Sequence, residues 1–271
     1  RPILVIGNIE LLNIQKKKMK FKISIKEVNK KFKDDDLYGN KLPVYNVNYK
    51  QKKIFQKISA KSNSYIFKSF DVAMELIKRK KILGFINCPI HKETLLKKKY
   101  KGITEFLSKK YGAENNEVML IYNKKLAVSP LTTHIPLRNV SSEINKSEII
   151  NKIQVINNFY RKIFKKKPKI AILGLNPHNY SATKYSEEEK IIIPAIKIIK
   201  NKGINITGPI TTDASFAIYK KHKFNVIFGM YHDQVLTPFK ALFKYDAINI
   251  TLGLPFIRIS PDHGVGENIV G

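Results

Sequence analysis

Apolar positions along this chain come in short β-branched and aromatic runs, each closed by glycine or proline and followed by residues at helical spacing. The unit is visible in KILGFINCPIHKETLLKKK (81–99), PKIAILGLNPH (168–178), GINITGPITTDASFAIYKKHK (203–223) and FNVIFGMYHDQ (224–234). Short apolar runs that alternate with helical stretches predict an α/β protein with a largely parallel sheet. SEEEKIIIPAIKIIKNK (186–202) predicts a helix capped by Ser186, with glutamates in its first turn, where negative charge is favoured. Asp213 is placed to cap a helix beginning near Ser215. SSEINKSEIINKIQVINNFYRKIF (141–164) predicts one amphipathic crossover helix, from Ile149, Ile150, Ile153, Val155, Ile156 and Phe159. The lysine- and asparagine-rich stretch 20–65, with KDDDLYGNKLP at 33–43, predicts an irregular excursion.

The run Phe224–Phe228 leads straight into His232, Asp233 and Gln234, which poses a chemical question. His134 in LAVSPLTTHIPL and His178 in LGLNPH stand in the same context, at the carboxyl end of a strand or in the turn after it. In open α/β sheets that edge is where ligands bind. Imidazole suits Zn²⁺ and similar divalent ions, and three protein ligands leave coordination positions for substrate. The spacings of 44 and 54 residues form no local metal motif. The residues alone therefore leave open both a metal centre and three separate structural histidines. His222 in YKKHKF reads as a solvated helix end, while His91 and His263 stay unassigned. Lys240 and Arg258 are candidates for holding an anion, since a guanidinium after an apolar strand can fork onto phosphate or carboxylate. No G-x-G-x-x-G or Walker-type loop is present, so an ordinary Rossmann or P-loop nucleotide site is not indicated.

The 271 residues, 43% of them hydrophobic, can form one large or two modest domains. A formal charge of +29 invites a nucleic-acid partner, but the distribution of charge argues against one. Only Arg1, Arg79, Arg138, Arg161 and Arg258 are arginines; the lysines are spread along the chain with no aromatic-interleaved basic motif. Runs such as QKKKMKFK (15–22) and FKKKPK (164–169) read as solvated faces in a chain of AT-rich coding bias. The single Cys88 rules out an internal disulfide and suits a reducing compartment. No uncharged apolar run approaches the roughly 20 residues of a membrane span, and RPILVIGNIE lacks a signal-peptide layout, so a cytoplasmic protein with no membrane partner is expected. The first residue, Arg1, and the ending ENIVG predict a fragment, or a chain trimmed at both ends.

Five segments then carry a resemblance: TTHIPL (132–137), LGLNPH (173–178), GPITTDASF (208–216), YHDQVLTPFK (231–240) and NITLGLPFIRISPDHG (249–264). Together they resemble the 4-hydroxythreonine-4-phosphate dehydrogenase (PdxA) family of vitamin B6 (pyridoxine) biosynthesis. NCPIHK (87–92) is similar to that family's Gly-Pro-x-x-Lys segment, and GITEF (102–106) to its Gly-His-Thr-Glu-Phe. The resemblance implies a two-lobed α/β fold like that of isocitrate and isopropylmalate dehydrogenases, truncated here at both ends. Residues 1–125 with 261–271 would form the first lobe, and 126–260 the second, carrying most of the metal and phosphate site. It implies a homodimer with the active site at the subunit interface.

By the same resemblance His134, His178 and His232 are ligands of a divalent ion (zinc, magnesium or cobalt). Thr104, Lys240, Asn249 and Arg258 are substrate contacts, and Asp213 and Lys240 are catalytic. The implied oxidoreductase converts 4-phosphooxy-L-threonine, with NAD or NADP, to a 2-amino-3-oxo acid phosphate. That product loses CO₂ to give 3-amino-2-oxopropyl phosphate. The chain departs from the family pattern at Ile103, where a substrate-contacting His is usual, and at Val235, where Gly is usual. NYSATKYSEEE (179–189) lacks the family's glycines, the N-terminal Gly-Asp-Pro segment is absent, and VGENIVG (265–271) replaces the usual continuation. These departures keep two alternatives in view: a paralogous dehydrogenase of a four-carbon sugar-acid phosphate, and a non-catalytic family member.

Overall fold

A computed structural model of the chain describes residues 2–51, 53–97, 99–100, 102–111, 116–180 and 185–267. They fall into two compact units, one of residues 1–85, 89–99 and 264–271, the other of 86–88 and 100–263.

The first unit contains β1 (Val5–Gly7), α1 (Ile9–Lys18), β2 (Ser24–Val28), β3 (Lys41–Asn46), α2 (Asn63–Lys78), the start of β4 (Gly84–Ile86), and α3 (Lys92–Leu96). Strands β1, β3 and β2 form a parallel sheet in that order. The Asn8 side chain accepts from the Leu11 N–H at 2.8 Å and caps α1. The stretch 20–65 is thus not simply an irregular excursion, because it supplies both β2 and β3. Burial of Val28, Val44 and Val47 rewards strand pairing there, while Lys22, Lys30 and Lys31 stay exposed.

The second unit contains α4 (Ile103–Lys110), β5 (Val118–Tyr122), β6 (Ala127–Thr132), α5 (Val140–Glu143), α6 (Lys146–Phe159), β7 (Ile170–Leu173) and α7 (Ile193–Asn201). It continues through β8 (Ile206–Ile210), α8 (Thr212–His222), β9 (Val226–Tyr231), α9 (His232–Phe243), β10 (Ile248–Leu252) and β11 (Ile257–Pro261). Within this unit the sheet order is β11-β10-β5-β6-β9-β7-β8, parallel from β6 to β8 and antiparallel from β6 to β11. Strand β5 hydrogen-bonds to both β6 and β10, which ties the two ends of this unit's sheet together.

Alternation along the strands divides the core between two faces. Val226, Phe228 and Met230 of β9 pack with Ile149, Ile153 and Ile156 of α6 and Ile196 and Ile199 of α7. Ile227 faces the other way, with Tyr219 of α8 and Val235 and Phe239 of α9. The predicted helix over 141–164 is broken. Asn145 is extended and its side chain accepts from the Glu148 N–H at 2.9 Å, so α6 begins afresh after α5. Ser186 behaves as expected, its hydroxyl accepting from the Glu189 N–H at 3.3 Å. Val235 fits because residue 229 is glycine: a Cβ there would stand 2.5 Å from a Val235 methyl. No helix among the described residues is long and apolar enough to cross a membrane.

Candidate active site

Three neighbouring parallel strands, β6, β9 and β7, bring their carboxyl ends to one edge of the second unit's sheet. His134 lies two residues beyond β6, His232 immediately follows β9, and His178 follows β7 in the turn Pro177–Asn179. The rings of His134 and His232 are 6.2 Å apart between centroids and tilted by 38°. Nδ1 of His134 lies 3.3 Å from Glu105 Oε1, and Nδ1 of His232 lies 2.8 Å from Asp233 Oδ1. A proton on Nδ1 makes each of these bonds and leaves the lone pair on Nε2, as in metal-binding histidines that are oriented by a carboxylate. Imidazole nitrogens are the donor type that suits a divalent ion such as zinc or cobalt. His178 has a left-handed backbone (φ 53°). Among the described residues no group of three His, Cys, Asp or Glu side chains is close enough to hold a metal, so His178 is not joined to the other two within one chain.

The first turn of α4 connects the imidazole pair to a buried guanidinium. Glu105 touches His134, while Thr104 Oγ1 is 3.4 Å from Nη1 of Arg258 and 3.5 Å from Thr251 Oγ1. Arg258 is 4% exposed; its Nε donates to Asn87 Oδ1 at 2.8 Å and its Nη1 to Thr251 Oγ1 at 2.9 Å. Burial pushes its pKa down to about 10, opposed by the Glu105 carboxylate, and it remains a cation at neutral pH. The hydrogen-bond partners of Arg258 are neutral, and the Glu105 carboxylate acts on its charge from nearby.

Strand alternation explains the polar surface around it. Thr251 pairs with Arg258 and Asn249 with Ser260 across β10 and β11, so all four share one face, while Ile250, Leu252 and Ile259 pack into the core. Asn249 Oδ1 is buried on that face with no hydrogen-bond partner among the described residues, an acceptor suited to an ammonium or hydroxyl donor.

Lys240 has its own carboxylate. Its Nζ pairs with Asp262 Oδ2, donates to the Asp262 carbonyl at 2.6 Å and lies 5.3 Å from the Tyr245 ring centre. Asp213 is exposed in the first turn of α8 and is not the cap expected for it; α8 starts at Thr212, earlier than predicted. Its carboxylate accepts from the Ala214 N–H at 2.9 Å. Ile103, at the position where a polar residue would be expected from the resemblance, is buried in α4. His222 is exposed at the end of α8 and stacks on Phe224, and His91 caps α3 through Thr94. Residues 181–184 of the glycine-free stretch, and 268–271 at the end, lie outside the described residues.

Several residues support this edge in roles that no sequence pattern assigned to them. Gln234 is buried. Its Oε1 accepts from the Met230 N–H at 2.6 Å, and its Nε2 donates to the Gly174 carbonyl at 2.7 Å and to Thr212 Oγ1 at 2.8 Å. It thereby joins the ends of β9 and β7 to the start of α8. Lys152, its pKa lowered by burial, donates to the Leu131 carbonyl at 2.8 Å near the end of β6. Thr251 and Ser260 could have been found from the polar–apolar alternation of NITL and IRIS.

The family model described as "Pyridoxal phosphate biosynthetic protein PdxA" matches residues 1–271. The 4-hydroxythreonine-4-phosphate dehydrogenase of Sulfurihydrogenibium sp. (strain YO3AOP1) is 45% identical over 203 residues, covering 73% of this chain and 62% of the relative. That of Aquifex aeolicus (strain VF5) is 42% identical over 194 residues, covering 70% and 60%. The chain thus spans about three fifths of the length of these curated relatives. The crystal structure of 4-hydroxythreonine-4-phosphate dehydrogenase from Klebsiella pneumoniae superposes with a TM-score of 0.83 at 28% identity, covering 98% of this chain and 83% of that one.

Proposed function

We propose, because this chain belongs to the PdxA family of pyridoxal phosphate biosynthetic proteins, that it carries the oxidation of 4-phosphooxy-L-threonine with a nicotinamide cofactor, NAD or NADP. Loss of CO₂ from the 2-amino-3-oxo acid would follow, giving 3-amino-2-oxopropyl phosphate. The observation that carries the reading is the first turn of α4, which touches His134 of the imidazole pair through Glu105 and the buried Arg258 through Thr104. A phosphorylated hydroxy-amino acid has the complementary parts: an anion for the guanidinium, a donor for Asn249 Oδ1 and an oxygen for the imidazole end.

His134, His232 and His178 would hold a divalent ion, His178 being supplied by a second copy of the chain in a homodimer with the site at the interface. When bound, the ion contributes Lewis acidity that lowers the pKa of the substrate hydroxyl. Arg258 and Thr104 grip the substrate's anionic end, and Asn249 fixes its orientation so that the carbinol hydrogen faces the nicotinamide. Asp213, exposed at the helix start, accepts the hydroxyl proton as hydride leaves carbon. The Lys240–Asp262 pair returns a proton to the carbon that keeps the electrons released with CO₂.

Purified protein with Zn²⁺, Co²⁺ or Mg²⁺, NAD⁺ or NADP⁺ and 4-phosphooxy-L-threonine should show reduced-nicotinamide absorbance, with one CO₂ released per turnover. Absence of that signal with every ion and both nucleotides, from folded and metal-loaded protein, would overturn the reading.

A further inference from the structure

We propose that Glu188 is the positioning residue for His178: its carboxylate clamps the turn that presents this imidazole. The inference rests on the reading of His178 as a metal ligand. Glu188 is 1% exposed, although it sits in a run of three glutamates that reads in the sequence as an ordinary solvated helix start. Its Oε1 accepts from the N–H groups of Leu175 at 2.7 Å and Asn176 at 2.8 Å. Its Oε2 accepts from the Asn176 side-chain amide at 2.9 Å, and the same amide donates to Glu187 Oε2 at 2.9 Å. Glu187 is held in turn by the hydroxyl of Ser141. Both oxygens of a buried carboxylate are thus spent on two consecutive residues of one turn, and the residues that follow are Pro177 and His178.

Two further features tie the clamp to His178 rather than to general packing. First, His178 and Asn179 are both left-handed, with φ of 53° and 57°, two consecutive residues in a conformation that is uncommon outside glycine, although Asn and His adopt it more readily than most. The surroundings act from both sides. Glu188 fixes residues 175 and 176, and the Asn179 side chain donates to the Pro209 carbonyl at 3.0 Å. Second, Glu188 opens a π-helical turn, Glu188–Ile192, immediately before α7. Such turns displace side chains from the regular helical register and recur at functional sites. The approach is close enough to require glycine in front of it: a Cβ on Gly174 would lie 3.0 Å from Glu188 Oε1 and 2.2 Å from Asn179 Oδ1.

The polarity of the clamp cannot be reproduced by an amide. In Glu188→Gln, either the glutamine NH₂ meets the Asn176 NH₂, or Asn176 turns over and its oxygen meets the Glu187 carboxylate.

The test uses the full chain and Co²⁺ as the probe, read by its visible absorption and by titration, beside amide hydrogen exchange at Leu175 and Asn176. Glu188→Ala should weaken Co²⁺ binding by roughly 10- to 100-fold, the range for residues that orient metal ligands. It should also expose both amides to exchange while the melting transition stays cooperative. Glu188→Gln should weaken Co²⁺ binding severalfold. In a His178→Ala background, Glu188→Ala should weaken it no further, because the effect passes through His178. A folded Glu188→Ala that binds Co²⁺ like the parent overturns the inference, as does a further loss in the His178→Ala background. If Glu188→Ala does not fold, a folded Glu188→Gln with parental Co²⁺ binding overturns it. If His178→Ala itself leaves Co²⁺ binding unchanged, the reading of His178 as a ligand fails instead, and the inference falls with it.

Discussion

The two ends of the candidate site are built in opposite ways. At the β10–β11 end, Arg258 is buried and held by Asn87, Thr251 and Thr104, so its charge is fixed before any ligand arrives. At the imidazole end, the side chains of His134 and His232 keep 37% and 33% of their exposure, and the third histidine is not gathered to them within the described residues of one chain. An anion subsite can be completed inside one sheet face, because a guanidinium needs only neutral acceptors and a strand pair to be oriented. A cation site needs several donors converging on one point, and it stays open until an ion gathers them.

The sharpest test of that contrast is His232→Ala. Turnover should fall by at least about 10²- to 10³-fold, the loss typical of removing one strong electrostatic contributor, with metal retention lost and the melting temperature nearly unchanged. Metal analysis beside calorimetry checks it, and a large fall in melting temperature would erase the contrast. Arg258→Lys should damage both properties. Losing a charge-assisted fork of about 1.5–3 kcal/mol should raise KM for the phosphorylated substrate roughly 10- to 100-fold. Denaturant unfolding should show lower stability as well, since Asn87 and Thr251 lose their donor.

Gln234→Ala should cost about 1–3 kcal/mol for each of the two buried groups it strands, the Met230 N–H and the Gly174 carbonyl. It would show that the imidazole edge has a rigid backing even though its imidazoles are partly exposed. The smallest effect expected is on the acid limb of stability. The Ser141 hydroxyl, with help from Asn176, holds the Glu187 carboxyl below its ordinary value of 4.5. A depressed carboxyl stabilises the fold above its unfolded value and loses that contribution as pH falls through the folded one. Glu187→Gln should therefore show a slightly shallower loss of stability below about pH 4.5, small because Glu187 is only partly buried and its charge is screened by solvent. An unchanged acid limb would remove Glu187 from the account of the edge.

Legibility differed between the ends as well. His134, His178 and His232 stood out because each follows an apolar run, and the structure puts all three at one edge. Arg258 and Asn249 were visible as polar positions in alternating strands. Glu188 was invisible, since a glutamate in a helix's first turn looks the same whether it meets water or two backbone N–H groups. The role of Gln234 was hidden for a similar reason, because its three partners come from β9, α8 and the residue that follows β7. The break at Asn145 and the strands within 20–65 were missed where a capping side chain or a buried valine outweighed composition.

What the amino-acid order determined by itself was the kind of element and its facing: apolar periodicity sets strand or helix, and glycine or proline sets where each stops. What only the tertiary structure decided was proximity. The neighbouring of β6, β9 and β7, the joining of Glu105 to His134 and of Thr104 to Arg258, and the burial of Glu188 all depend on contacts between segments far apart in the chain. Such contacts are selected by packing and by the need to satisfy every buried polar group at once, and no local pattern encodes them.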